Sequence, residues 1–119
     1  MFQVQRIAHS DHFEYVLQGA PSEKAWLELI EQIRTDAETA GYRCAMINTF
    51  GLTAKVDTMT RYWVGIEIGR SLGPRVRVGI YSPLEQINHF MENVAHNCGG
   101  MLKPSADRDV LLAWLRQTD

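Results

Sequence analysis

The chain has 119 residues, 45% of them hydrophobic and 22% charged, and 12 Lys+Arg against 14 Asp+Glu give a formal net charge of −2. That balance excludes the broad basic surface that nucleic acid requires, and no apolar run approaches the ~20 residues needed to cross a bilayer. Met1-Phe2-Gln3-Val4-Gln5-Arg6 lacks the apolar stretch of a signal peptide, and two cysteines are too few for a disulfide scaffold. The expectation is one cytoplasmic domain over residues 1–119, with a single core.

Residues 2–9 and 12–18 predict a hairpin turned at Ser10-Asp11. In its second arm Phe13, Tyr15 and Leu17 alternate with His12, Glu14, Val16 and Gln18. Gly19-Ala20-Pro21 breaks the chain, and Ser22 caps a helix running to about residue 40. Its apolar stripe is Trp26, Leu29, Ile30, Ile33, Ala37 and Ala40, and Gly41 ends it. The continuous apolar run over 44–47 predicts a central strand covered on both faces, followed by a loop over 48–56. A second helix is expected over 57–72, stopped by Gly73-Pro74, and then a strand over 76–81.

Ser82-Pro83-Leu84-Glu85 reads as a capping box opening a third helix, with Leu84, Ile87, Met91 and Val94 on one side. Gly99-Gly100 closes that region. Met101-Leu102-Lys103 predicts a short strand, and Pro104-Ser105 the start of a final helix through Trp114-Leu115. The order ββαβαβαβα predicts an α/β fold: a mostly parallel sheet with an antiparallel N-terminal hairpin and helices on both faces.

The second helix carries two apolar stripes. Met59, Tyr62, Trp63 and Ile66 form one, and Val64, Ile68 and Leu72 the other, with a narrow polar strip through Thr60, Glu67 and Ser71. A helix apolar on both sides must have both covered, whether by a neighbouring helix, a second copy of the chain or an apolar ligand beneath it. Gly65-x-x-x-Gly69 and Gly99-Gly100 match no phosphate loop and read as places of close packing.

Candidate chemistry is sparse. His89 and His96 share a helix side with Asn93 but lie about 10 Å apart along the axis, too far for one ion. His96 and Cys98 lack an orienting third group, and Cys44 reads as a small buried hydrophobe. Arg61, Arg70, Arg75 and Arg77 are either an anion pocket or a solvent face with a strand end. No metal site, no cofactor and no nucleophile–base–orienter set is predicted, so the chain does not read as an enzyme.

Three segments carry a resemblance over nearly the whole chain. They are Ala45-Met46-Ile47-Asn48-Thr49-Phe50-Gly51 leading to Asp57; Arg75-Val76-Arg77-Val78-Gly79-Ile80 after Leu72-Gly73-Pro74; and Glu92-Asn93-Val94-Ala95-His96-Asn97-Cys98-Gly99, followed by a strand and a helix ending Ala113-Trp114-Leu115. With the element order, they resemble STAS-like domains of the anti-sigma-factor-antagonist type, and more closely the small bacterial STAS/SEC14-domain proteins. In the antagonist branch an Asp-Ser pair opens the helix after the central strand, and a partner kinase phosphorylates the serine. The matching pair is Asp57-Thr58, which makes Thr58 the candidate phosphoacceptor. Met59-Thr60 replaces the small residue and glycine that normally follow, and Asn48 stands where an aspartate commonly ends the strand. The simpler reading is Asp57 as an N-cap, with Thr58 and Thr60 in the first turn.

The resemblance implies a regulatory or protein-interaction domain. Its expected binding surface is Asn48, Gly51, Asp57, Thr58, Thr60, Arg61, Tyr62 and Trp63, for a protein partner or a second copy in a homodimer. The alternative is a SEC14-like carrier holding a small apolar or anionic ligand at the carboxyl ends of the strands.

Overall fold

The structure is a computed structural model and describes residues 2–117. Strands β1 (Phe2–Ala8) and β2 (Phe13–Gly19) form the expected antiparallel hairpin, with Phe2 opposite Gly19 and Ala8 opposite Phe13. β3 (Cys44–Leu52), β4 (Arg77–Tyr81) and β5 (Met101–Ser105) follow in parallel, so the sheet order is β1-β2-β3-β4-β5. The helices are α1 (Glu23–Ala40), α2 (Thr58–Glu67), α3 (Phe90–Asn97) and α4 (Arg108–Leu115).

Strands laid down in chain order with right-handed crossovers put α1, α2 and α3 on one face. There Ile30 and Ile33 of α1, Val64 of α2 and Ala95 of α3 close over Leu17, Ile47, Val78 and Leu102. α4 follows the last strand and has no further strand to reach, so it folds onto the opposite face. Its Leu111 and Leu115 pack on Cys44 and Met46, and Gly79 of β4 lets Leu111 approach, since a Cβ there would lie 2.9 Å from its Cγ. The apolar run at the start of β3 is thus covered on both faces, as a central strand requires. This is the α/β arrangement with helices on both faces that the element order predicts.

Local chemistry explains most element ends. Ser22 Oγ accepts from the Ala25 amide at 3.1 Å, and Gly41 closes α1 with φ 73°, a conformation that suits glycine. The α1 stripe buries Trp26, Leu29, Ile30, Ile33 and Ala37, but Ala40, expected in that stripe, is exposed in the last turn. Asp57 Oδ1 caps α2 by accepting from the Thr60 amide at 2.8 Å. α2 continues as a wider π-helical turn over Ile68–Leu72 and ends where the Gly73 amide reaches the Ile68 carbonyl at 3.1 Å. Asp57→Ala therefore lowers the thermal midpoint by a few degrees, whereas Asp57→Asn keeps most of it, because asparagine caps equally well. Thermal denaturation of the two variants reads the difference, and identical losses would remove the cap.

The main differences from the expected boundaries have physical reasons. β3 runs on to Leu52 through the predicted loop, because its polar residues find partners: Asn48 on Glu14 and Thr49 on Ser82. The capping box at Ser82 does not form. The hydroxyl it would need accepts from Thr49 Oγ1 at 2.9 Å across the sheet edge, and Pro83 is extended (φ −56°, ψ 142°). Only a 3-10 turn over Leu84–Gln86 follows, and α3 starts at Phe90 after His89, which has φ 61°. β4 begins at Arg77, one residue later than expected. Pro104 and Ser105 complete β5, which tolerates proline as an edge strand; the last helix opens later, capped by Asp107 through the Asp109 and Val110 amides.

Candidate functional site

α2 divides sharply between its two sides. Val64, Ile68 and Leu72 have no exposed surface and lie in the core shared with α1 and α3. On the outer side Met59 is 59% exposed, Tyr62 39% and Trp63 42%. The two aromatic rings meet edge to face with centroids 5.2 Å apart. Met59, Tyr62 and Trp63 are helical neighbours at spacings of three and four, so they form one apolar ridge. Ile66 is half-buried at its end.

At the start of this helix Asp57 and Thr58 are exposed, while Thr60, expected in a polar strip, is buried. The Thr60 amide holds the Asp57 carboxylate below its ordinary pKa. Thr58 thus stands exposed on the first turn, at the positive end of the helix dipole.

Arg61 points the other way. It is buried, its Nε donates to the Val56 carbonyl at 3.0 Å and its Nη2 to the Gln86 carbonyl at 3.0 Å. One guanidinium thereby fastens the segment before α2 to the turn before α3. Arg61 also walls a small cavity at the carboxyl ends of β3, β4 and β5, with Trp26, Thr49, Ser82, Met91 and Pro104. This is the sheet edge where open α/β folds bind ligands. Its volume is about 40 Å³, room for about three waters at ~10–15 Å³ each, whereas ligand pockets run to roughly 300–1,000 Å³.

The remaining residues of the expected surface lie elsewhere. Asn48 sits on the α4 side of β3, where its Nδ2 donates to Glu14 Oε2 at 3.1 Å and its Oδ1 accepts from the Phe50 amide. Gly51 pairs with Gln18 at the end of β3 and is needed for the close approach of β2: a Cβ there would lie 2.5 Å from the Leu17 carbonyl oxygen. The structure therefore brings Asp57, Thr58, Tyr62 and Trp63 onto one outer surface, turns Thr60 and Arg61 inward, and separates Asn48 and Gly51 from them.

The other singled-out residues are absorbed into the fold. Arg77 is buried at the start of β4, and its Nη1 donates to the Trp114 carbonyl at 2.8 Å. Arg75 Nη2 donates to the Ser71 carbonyl, and Arg70 is exposed. His89 pairs with Glu92 at 2.7 Å, and His96 Nε2 lies 3.0 Å from the Leu102 carbonyl oxygen. Gly65 and Gly69 let α2 lie against α3 and its exit. Cys98 is exposed, and burial raises the Cys44 thiol to about 11.

Sequence reading missed Glu14. Its carboxylate is buried on the α4 side of the sheet, and both guanidinium nitrogens Nη1 and Nη2 of Arg108 donate to it, with Asn48 and His9 alongside. The polar position in the alternation of β2 was the only sign of it.

This arrangement, a hairpin-led parallel sheet with three helices on one face and the last on the other, is a STAS-like fold of the SpoIIAA type. It matches, with a TM-score of 0.54, an uncharacterised protein of the DUF3478 family with a SpoIIAA-like fold from Shewanella loihica PV-4. The two are 18% identical, and the match covers 96% of this chain and 93% of that one. No protein-family model and no curated protein matches the chain. No helix among the described residues is long and apolar enough to cross a membrane.

Proposed function

We propose that the chain is a non-enzymatic STAS-like interaction domain that docks a second copy of itself on the outer side of α2. The observation that carries this reading is the exposed ridge of Met59, Tyr62 and Trp63, on a helix whose opposite side is fully buried. Aromatic side chains with a large apolar body and few rotatable bonds are the usual anchors of such surfaces. Asp57 and Thr58 border the ridge, so a phosphate on Thr58 would add charge beside it and weaken or redirect docking. The rival reading, a small apolar or anionic ligand carried at the sheet edge, has the Arg61 cavity in its support. At about 40 Å³ that cavity is far below the size of a lipid pocket.

Sedimentation at micromolar concentration tests the proposal: a dimer is expected, and Trp63→Ala weakens it at least tenfold, the loss typical of a central aromatic anchor. Because Trp63 lies on the outer side of α2, 42% exposed, the variant lowers the thermal midpoint by only a few degrees. A chain that stays monomeric, or a dimer indifferent to both Trp63→Ala and Tyr62→Ala, overturns the reading. Mass spectrometry of protein from its native host tests the phosphoacceptor: phosphate is expected on Thr58 and not on buried Thr60.

A further inference from the structure

On the opposite side of the sheet from α2, the end of the hairpin turn meets the start of the central strand. Phe13 pairs with Ala45 in the parallel register of β2 and β3, so His12 and Cys44, one residue earlier on each, are neighbours. The carboxylate of Asp11, a ring nitrogen of His12 and Cys44 Sγ lie within 4.8 Å of one another. The histidine is 1% exposed, and Asp11 Oδ1 holds its Nδ1 at 2.7 Å. Its Nε2 is the one buried side-chain polar atom among the described residues that has no hydrogen-bond partner. His9 stacks on the ring, with centroids 4.6 Å apart and planes 19° from parallel, and fixes its orientation.

We propose that Asp11, His12 and Cys44 form a site for a thiophilic divalent cation of the zinc class. Three observations converge on it. A buried imidazole with an unused lone pair is a standing cost to the fold unless something accepts that lone pair. A thiol and an imidazole are donors that zinc favours over calcium or magnesium, which take oxygen alone, and Asp11 on Nδ1 is the carboxylate that fixes the tautomer of a histidine bound to metal through Nε2. At bond lengths of about 2.0–2.3 Å, donors around one such ion stand roughly 3.5 Å apart, and a ring nitrogen of His12 lies within 4.8 Å of Cys44 Sγ. Cys44 has no competing strong partner; its sulfur lies 3.7 Å from the Asp11 backbone carbonyl. Asp11 is 39% exposed and gives an ion a route in from solvent, while Arg116 Nε on its other oxygen, at 2.9 Å, holds the carboxylate in place. Binding transfers the Cys44 thiol proton to solvent as the sulfur becomes a thiolate ligand. Two protein donors, His12 Nε2 and Cys44 Sγ, leave two tetrahedral positions to water, the arrangement of an open rather than a closed site, with Asp11 on Nδ1 outside the ion's own shell.

Titration of the chelator-stripped chain with Co²⁺ tests the site. The expected result is a thiolate-to-cobalt charge-transfer band that saturates at one ion per chain and is displaced by Zn²⁺. The band disappears in Cys44→Ser and persists in Cys98→Ser, which removes the exposed thiol. Asp11→Asn weakens binding by about 10- to 100-fold, as loss of a carboxylate beside a metal-bound histidine does. Since Cys44→Ser alters a core position, X-ray absorption at the zinc edge of the wild-type chain supplies a variant-independent readout, with one sulfur expected in the first coordination shell. Absence of the band, a band that follows Cys98 instead of Cys44, or a zinc shell without sulfur overturns the proposal.

Discussion

Arg108→Ala is expected to lower the thermal midpoint by about 10 °C, although Arg108 lies on the last helix and is one-third exposed. The residue it abandons is Glu14, whose carboxylate is only 5% exposed. Arg108 donates to both of its oxygens and lies with its Cζ 5.5 Å from the centre of the Tyr81 ring, and Asn48 and His9 complete the shell. These contacts, the arginine's hydrogen bonds foremost, hold Glu14 at about 2 against an ordinary 4.5.

Without the arginine, an anion remains out of water with two weaker partners. Stranding a buried charge costs about 3–5 kcal/mol, and solvent access on the arginine side reduces this to about 2–3 kcal/mol. The pH dependence has a definite sign. A carboxyl whose folded pKa is depressed contributes stability above its unfolded value, near 4.5, and loses it as pH falls toward 2. Urea denaturation of the wild type over that interval shows the loss, and in Arg108→Ala the dependence flattens because Glu14 returns toward its ordinary range. Glu14→Gln also destabilises, since the amide turns a donor toward Asn48 and Arg108, and the double variant costs less than the sum of the two. Equal midpoints for wild type and Arg108→Ala would show that the pair holds nothing together.

This link between the first hairpin and the last helix spans 94 positions, which is why no local pattern announces it. What the chain does announce are features whose causes are local: the Ser22 and Asp57 caps, the left-handed Gly41, the α1 stripe and the alternation of β2. The two apolar stripes of α2 are legible as well, but the pattern predicts cover for both, whereas the fold covers Val64, Ile68 and Leu72 and leaves Met59, Tyr62 and Trp63 exposed. Local reading fails where a side chain is taken up by a distant partner. Ser82 has every attribute of an N-cap, yet Thr49 claims its hydroxyl. Asn48 and Thr49 look like loop residues, yet Glu14 and Ser82 make them tolerable inside a strand. The grouping of Asp11, His12 and Cys44 is invisible for the same reason, since only the parallel register of β2 and β3 brings them together.

Gly69→Ala sets two effects of opposite sign against each other, and the structure decides between them. On helix propensity alone, alanine in place of a helical glycine stabilises by up to about 1 kcal/mol. Here, however, a Cβ on Gly69 would lie 2.4 Å from Cys98 Cβ and 2.7 Å from the Cys98 carbonyl oxygen. Neither side yields easily. The Cys98 amide is tied to the Val94 and Ala95 carbonyls at 3.1 Å each, and the Gly100 amide to Ala95 at 2.8 Å, so the end of α3 is fixed. Gly69 in turn is flanked by Ile68 and Leu72, both without exposed surface, and α2 cannot lift away without drawing them from the core.

Overpacking of this kind costs about 1–3 kcal/mol, and a clash with backbone belongs at the upper end, a fall in midpoint of about 10 °C. Gly65→Ala is milder, because its nearest contacts, Val94 Cβ and Cγ1 at 2.9 Å and the Met91 carbonyl oxygen at 3.0 Å, are less close than those at Gly69 and two of the three belong to a side chain. The expected order of thermal midpoints is therefore wild type, then Gly65→Ala, then Gly69→Ala. A Gly69→Ala midpoint at or above that of the wild type would mean that propensity wins and that α2 and the end of α3 do not meet there.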